Sequence, residues 1–79
     1  MIILKDVLTD MAKAIVETPD SVSVTETEAE DGEIILTLSV APDDMGKVIG
    51  RHGRIAKALR TVMKAAATSV DTKVTVEIK

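Results

Sequence analysis

The chain has 79 residues, enough for one small domain, and its net charge at pH 7 is −3. It has no cysteine, which excludes disulfides and thiolate metal sites, and no Phe, Tyr or Trp, so its core must be aliphatic. No apolar run approaches the roughly 20 residues that span a bilayer, and the charged pair Lys5-Asp6 follows too soon for a signal peptide. We therefore expect a single cytoplasmic domain, residues 1–79, with no membrane partner.

The first half of the chain predicts a helix and a strand. Apolar residues recur at helical spacing over residues 3–17. Thr18-Pro19-Asp20 ends this helix, because the residue before a proline is disfavoured in helical geometry. Alternating β-branched residues begin a strand at Val22–Thr25, and Glu30-Asp31-Gly32 predicts the turn that follows.

The middle of the chain predicts a second strand and a short helix. Apolar residues alternate from Ile34 to Val40, and Ile35 gives the other face of this strand a second apolar residue, as in a central strand. Pro42 suits the first position of a helix that we expect to run to Ile49. Asp43-Asp44 suits the positive end of that helix and is not a catalytic pair in this interpretation.

The longest predicted helix, Arg54–Ser69, separates apolar from basic side chains. At about 100° per residue the two groups occupy opposite arcs. We expect the apolar arc to pack on a sheet completed by the strand Val74–Ile78, and the basic arc to face outward. The apolar arc comprises Ile55, Leu59, Val62, Met63, Ala66 and Val70, and the basic arc comprises Lys57, Arg60 and Lys64.

Charge is distributed unevenly along the chain. Residues 45–70 carry six basic side chains and no acidic one, whereas the rest of the chain carries a net charge of −9. A basic segment on an acidic body is typical of a nucleic-acid contact. A basic helix face that is only solvated is the alternative interpretation.

The tetrapeptide Gly50-Arg51-His52-Gly53 separates the two predicted helices. A helix start carries unpaired N–H groups and a partial positive charge, so it attracts phosphate. Glycines remove the Cβ atoms that would hold a sugar-phosphate chain away, and Arg51 and His52 add cationic contacts. The tetrapeptide alone is a weak signal, and its setting between helices makes it a stronger one.

The order α-β-β-α-α-β, with this glycine tetrapeptide, resembles a type II K-homology (KH) domain. The resemblance extends to the small bacterial single-KH RNA-binding proteins of the KhpA family. It is carried by Thr18-Pro19-Asp20, by Val40–Gly50 and by Gly53–Ala67, and it covers essentially the whole chain. It implies an α+β fold with helices on one face of a three-stranded sheet, and a glycine loop that clamps about four nucleotides.

The resemblance also implies a role and partners. The role is that of a cytoplasmic RNA chaperone or post-transcriptional regulator that affects cell division, cell shape and cell-wall organisation. The partners are single-stranded RNA and a second KH chain, in a homodimer or a heterodimer with a KhpB (Jag)-type protein. The RNA-binding residues would be Lys47, Gly50, Arg51, His52, Gly53, Arg54 and Lys57. A hydrophobic groove for the bases would comprise Ile35, Val48, Ile49 and Ile55.

The absence of aromatic residues limits how this chain could bind RNA. Base stacking on an aromatic ring is worth roughly 1–3 kcal/mol per base, and this chain has no ring to supply it. We therefore expect weak binding with low sequence specificity. We also expect a shallow salt dependence, because one loop covers few phosphates.

Two other functions remain open. Two helices joined by a short glycine turn also resemble a DNA-binding helix-turn-helix, and a KH fold can serve mainly for dimerisation. An enzyme is the least favoured class, because the loop lacks the Gly-Lys-Ser/Thr ending of a P-loop. We predict no catalytic residue, no cofactor and no metal site, since His52 is the only histidine and cysteine is absent.

Overall fold

The computed structural model describes residues 2–79 and confirms the order α-β-β-α-α-β. No helix in this part of the chain has the length and apolarity needed to cross a bilayer. The helices are α1 (Leu4–Ile15), α2 (Met45–Ile49) and α3 (Arg54–Ser69), and the strands are β1 (Ser23–Glu28), β2 (Ile34–Ser39) and β3 (Val74–Ile78). Short 3₁₀ turns cover Pro19–Ser21, Pro42–Asp44 and Arg51–Gly53.

The predicted element bounds differ from the structure mainly at the first two helices. The first helix ends at Ile15 rather than residue 17, because Val16 already has extended backbone. The predicted helix Pro42–Ile49 is divided into a 3₁₀ turn and the five-residue α2. The predicted bounds of α3 are confirmed.

The sheet has three strands in the order β1-β2-β3. Its central strand, β2, pairs antiparallel with β1 and parallel with β3, so the prediction of a central second strand is confirmed. In the register, Val24 pairs with Leu38, and Leu36 pairs with Val76. These four residues are buried, so they mark the face of the sheet that the helices cover.

The core lies between that face and the helices. Leu8 of α1, Leu36 of β2, Val48 of α2 and Met63 of α3 are fully buried in one cluster. The packing of aliphatic side chains from helices and sheet explains how a chain without aromatic residues forms a core. The expected arrangement, α+β with helices on one face, is confirmed.

The buried face of α3 covers a narrower arc than predicted, and this arc is rotated about the helix axis relative to the predicted one. Its buried residues are Ala56, Leu59, Met63 and Ala67. Ala56 and Ala67 are buried although they were not among the residues predicted for the apolar arc. Ile55, Val62 and Val70 are instead 37%, 46% and 38% exposed. The expectation that they pack on the sheet was therefore wrong.

Candidate nucleic-acid interface

The glycine turn, Gly50–Gly53, links α2 to α3 through backbone conformations that side chains disfavour. Gly50 has φ 76° and ψ 172°, a combination that is essentially restricted to glycine. His52 and Gly53 follow in the left-handed region, with φ of 57° and 73°. The Gly50 N–H donates to the Gly46 carbonyl at 2.8 Å, and the Gly53 N–H donates to the Gly50 carbonyl at 3.1 Å. The turn is thus a defined structure with a sharp reversal at each glycine.

The two glycines of the turn are required for different reasons. A Cβ at Gly50 would overlap Cγ1 of Ile55 and lie 2.9 Å from the Ile55 backbone nitrogen. A Cβ at Gly53 would meet no atom within 4 Å. The missing Cβ of Gly50 therefore makes room for Ile55, whereas only Gly53 leaves an open approach to the backbone. That both glycines clear space for a phosphate stays a prediction, and at Gly50 the missing Cβ also serves packing.

The start of α3 has no side-chain cap. One of the first backbone N–H groups of α3 already has a partner in the turn, because the Arg54 N–H donates to the Arg51 carbonyl. The aligned peptide dipoles of this 16-residue helix still leave a partial positive charge at its start. A helix start of this kind favours an anion placed beside the turn.

Exposed cations surround the turn. The cations Arg51, Arg54 and Lys57 are exposed, and so is His52. The described residues form two ion pairs, Lys47–Glu17 and Lys79–Glu77, and neither includes these cations. The predicted cationic residues at and after the turn are therefore brought together with their charges uncompensated by a carboxylate within 4 Å.

The later basic residues of α3 differ in their surroundings. Arg60 donates from Nε to the Val76 carbonyl of β3 at 3.3 Å, so its side chain lies along the edge of the sheet. Lys64 is exposed and lines an open cavity of about 490 Å³ with Thr68, Thr72 and Lys73, near the end of α3. None of the residues that line this cavity belongs to the glycine turn.

Lys47 forms an ion pair within the chain that the sequence did not reveal. Its Nζ lies 2.7 Å from Oε1 of Glu17, just beyond the end of α1. The hydrogen bond that Lys47 Nζ donates to the Glu17 carboxylate is the main reason that the pKa of Lys47 is raised above 10.5. The structure therefore separates Lys47 from the uncompensated cations of the predicted site.

The predicted hydrophobic groove is not formed as expected. Val48 is fully buried in the core. Ile35 lies on the sheet face opposite the helices, since its neighbour Leu36 points into the core. Ile49 and Ile55 are the two exposed members, and both adjoin the glycine turn. Only two of the four residues predicted for the groove, Ile49 and Ile55, therefore form an aliphatic surface beside the turn.

Asp44, directly before α2, has a role that the sequence indicated only in part. Asp44 was predicted to favour the positive end of a helix, and it does precede α2. Its side chain is 2% exposed and accepts hydrogen bonds from the backbone N–H groups of Glu17 and Thr18. Partners 26 and 27 residues away leave no periodic signal in the sequence. Asp43 remains exposed.

Among residues 2–79, no group of three or more His, Cys, Asp or Glu side chains is arranged to hold a metal ion. The cluster that the structure does form is cationic and surrounds a backbone turn. Its geometry suits an anionic chain of phosphates bound at the surface.

Comparison with known proteins agrees with this geometry. The sequence profile described as KhpA/KhpB, KH domain matches residues 5–78. The RNA-binding protein KhpA of Clostridium acetobutylicum is 56% identical over 75 residues, which cover 95% of this chain and 99% of that protein. The protein of the same name from Aquifex aeolicus is 44% identical over 75 residues, covering 95% and 94% of the two chains.

Solved structures support the fold independently. The Era protein of Aquifex aeolicus bound to GDP and aluminium fluoride superposes with a TM-score of 0.68 at 15% identity. Era in complex with MgGDPNP and nucleotides 1506–1542 of 16S ribosomal RNA gives the same score and identity. The match covers 95% of this chain but only 29% and 28% of those chains, so it concerns one segment of a larger protein. These matches concern the fold, whereas the profile and the relatives of similar length show that the chain belongs to the KhpA/KhpB family of KH domains.

Proposed function

We propose that this chain binds single-stranded RNA by its phosphate backbone, through the glycine turn and the start of α3. It is a binding module and not an enzyme. The observation that carries the proposal is the uncapped start of α3, beside an open glycine and three exposed cations, Arg51, Arg54 and Lys57. The relatives named as RNA-binding proteins support RNA as the ligand.

Binding in this arrangement depends mainly on charge. Gly53 lets a phosphate approach the backbone closely, while Arg51 within the turn and Arg54 directly after it supply positive charge. His52 and Lys57 complete the proposed contact set. Because Ile49 and Ile55 offer only a small aliphatic surface to the bases, we expect low sequence specificity and modest affinity.

Charge reversal in the glycine turn tests the proposal. Arg51→Asp combined with His52→Asp places two carboxylates where phosphates would bind, so we expect the affinity for single-stranded RNA to fall more than tenfold. Fluorescence anisotropy with a labelled oligonucleotide measures it, and circular dichroism checks the fold. A matched control, Lys5→Asp with Ser23→Asp, changes the net charge equally at exposed positions of α1 and β1.

Equal loss in both variants would show that only net charge matters and would contradict a local phosphate site. The same assay with duplex DNA tests the helix-turn-helix alternative. A clear preference for one duplex sequence over single-stranded RNA would favour that alternative.

We further propose that the chain acts as a cytoplasmic RNA chaperone or post-transcriptional regulator. Weak, sequence-tolerant backbone binding suits a protein that contacts many transcripts. Effects on cell shape and cell-wall organisation would then follow from those transcripts. Crosslinking and sequencing of bound RNA in cells, compared between the native chain and the charge-reversed turn, tests this role. Identical RNA sets from both proteins would contradict it.

A second candidate function is pairing with another KH chain, either a second copy or a KhpB-type partner. The observation in its favour is a set of exposed apolar residues: Ile49 of α2, Ile55 and Val62 of α3, and Val70 just beyond α3. Analytical ultracentrifugation of the native chain and Val62→Asp tests this proposal. We expect the native chain to associate and the variant to remain monomeric. A tight dimer without measurable RNA affinity would instead favour the dimerisation-module alternative.

A further inference from the structure

Asp44 is a buried carboxylate whose partners lie far away in the sequence. It is 2% exposed. Its Oδ1 accepts the Glu17 N–H at 3.2 Å, and its Oδ2 accepts the Thr18 N–H at 3.0 Å. Both oxygens are therefore used to hold the chain segment that leaves α1.

These hydrogen bonds hold one end of a helix that is too short to be stable by itself. The helix α2 has five residues, and isolated helices shorter than about 12 residues are marginal in water. Its direction must therefore come from its attachments. Asp44 anchors its start, Val48 is buried in the core, and Gly50 at its end packs against Ile55.

The ion pair of Lys47 and Glu17 lies beside these hydrogen bonds. It joins the middle of α2 to the same segment that Asp44 holds, with 2.7 Å between Nζ and Oε1. We call these contacts, made by Asp44 and Lys47 to Glu17 and Thr18, the α1–α2 attachment. Asp44 and Lys47 precede the glycine turn by six and three residues, so the attachment holds the helix that leads into the turn.

We propose that Asp44 is a positioning residue for the RNA-binding turn, and that Lys47 belongs to the α1–α2 attachment instead of contacting phosphate. This inference rests on the proposed function. Glu17 and Thr18, just beyond the end of α1, then control a site at the start of α3 without touching RNA. Glu17 becomes a residue that supports binding although it is acidic.

Asp44→Asn is the first test, because it keeps the shape of the side chain and removes one acceptor. The amide nitrogen cannot accept a backbone N–H, so one of the two hydrogen bonds is lost. We expect the RNA affinity to fall about fivefold or more under conditions where the variant is folded. We also expect the amide NMR resonances of Gly50–Gly53 to shift.

Val24→Ala is the matched control, since Val24 is buried in β1 and has no part in the α1–α2 attachment. We expect it to lower stability while its RNA affinity and the resonances of the turn stay near those of the native chain. Native-like affinity and resonances in Asp44→Asn, or equal changes in both variants, would overturn the proposal.

Glu17→Gln provides a second test at an exposed position, where failure to fold is not expected. If Glu17 supports the turn, this variant binds RNA more weakly than Glu28→Gln, which changes the net charge equally in the remote strand β1. If Glu17 instead competes with phosphate for Lys47, Glu17→Gln binds more tightly than Glu28→Gln. That second result would overturn the proposal.

Salt dependence separates Lys47 from a true phosphate contact. Each phosphate contact on a single strand adds about 0.7 to the slope of log K against log salt. We expect Lys57→Gln to reduce the slope by about that amount, whereas Lys47→Gln leaves it unchanged. An equal reduction in both would overturn the assignment of Lys47.

Failure of the proposed function can be told apart from failure of this inference. A native chain without RNA affinity would contradict the function. The turn resonances in Asp44→Asn, measured without RNA, would still show whether Asp44 positions the glycine turn.

Discussion

The hairpin turn, Ala29–Glu33, and the glycine turn both reverse the chain through a glycine with positive φ, but different parts of the molecule hold them. The hairpin turn is closed by its own residues. The Ala29 N–H donates to the Glu33 carbonyl at 2.8 Å, and the Gly32 N–H donates to the Ala29 carbonyl at 2.9 Å. Asp31 Oδ1 accepts the Glu33 N–H at 3.0 Å. Such a turn needs little from the rest of the fold.

The glycine turn also has an internal hydrogen bond, from the Gly53 N–H to the Gly50 carbonyl, but it depends in addition on contacts outside itself. Ile55 fills the space where a Gly50 Cβ would lie, and the α1–α2 attachment anchors the helix that leads into the turn. The charges also differ, because acidic residues surround the hairpin turn and basic residues surround the glycine turn. The comparison teaches that the locally closed turn suits an inert, solvated edge, whereas the proposed binding turn is coupled to the core.

The largest expected difference between the turns comes from adding one methyl group. Gly50→Ala forces a side chain into a glycine-only conformation and into contact with Ile55, so we expect a loss of about 3 kcal/mol or more in the free energy of unfolding. Gly32→Ala meets no atom within 4 Å and should lose only about 1 kcal/mol, from its backbone conformation. Urea denaturation measures both. Equal losses would contradict the different origin of the two turns.

Gly53→Ala should reduce RNA binding more than it reduces stability. The added Cβ has open space and a φ of 73°, so we expect a stability loss of about 1 kcal/mol. The same Cβ occupies the open side of the turn, where the phosphate would approach, so we expect affinity to fall about tenfold, or about 1.4 kcal/mol. Anisotropy titration of Gly53→Ala and Gly32→Ala tests this expectation. Native-like affinity in both would remove Gly53 from the proposed site.

His52→Val should show that the glycine turn is strained at a non-glycine position as well. His52 has a φ of 57°, and a β-branched residue is a true outlier there. We expect a loss of about 1–2 kcal/mol in unfolding free energy. Glu30→Val in the hairpin turn serves as control and should change stability by less than about 0.5 kcal/mol. Similar losses at both positions would show that the strain is not specific to the glycine turn.

The smallest expected effect concerns pH and the ion pair of Lys47 with Glu17. The pKa of Lys47 is raised in the folded chain above its ordinary 10.5, chiefly because its Nζ donates a hydrogen bond to the Glu17 carboxylate. Its contribution to stability is therefore complete below pH 10.5 and is lost as the pH rises through the raised folded-state pKa. We expect the stability difference between the native chain and Glu17→Gln to shrink at alkaline pH. A stability difference that does not change with pH would show that it does not arise from this ion pair.

Local signals accounted for most of the fold. Helical spacing in α3 and the alternation in β2 gave correct elements, because each pattern follows from backbone geometry. The prediction for Ile35 was less successful. Alternation already placed it opposite Leu36, but nothing local says which face of the strand the helices cover. Val48 was assigned to a surface groove for a similar reason, since an apolar residue before a turn can be buried or exposed.

The amino-acid sequence by itself determined the element order, the position of the glycine turn and the concentration of basic charge around it, because these depend on neighbouring residues. Only the tertiary structure decided that Gly50 accommodates Ile55, that Asp44 holds the chain beyond α1, and that Lys47 is paired with Glu17. Each of these contacts joins residues according to the packing of helices on the sheet. Packing depends on the whole chain, so no short pattern records it.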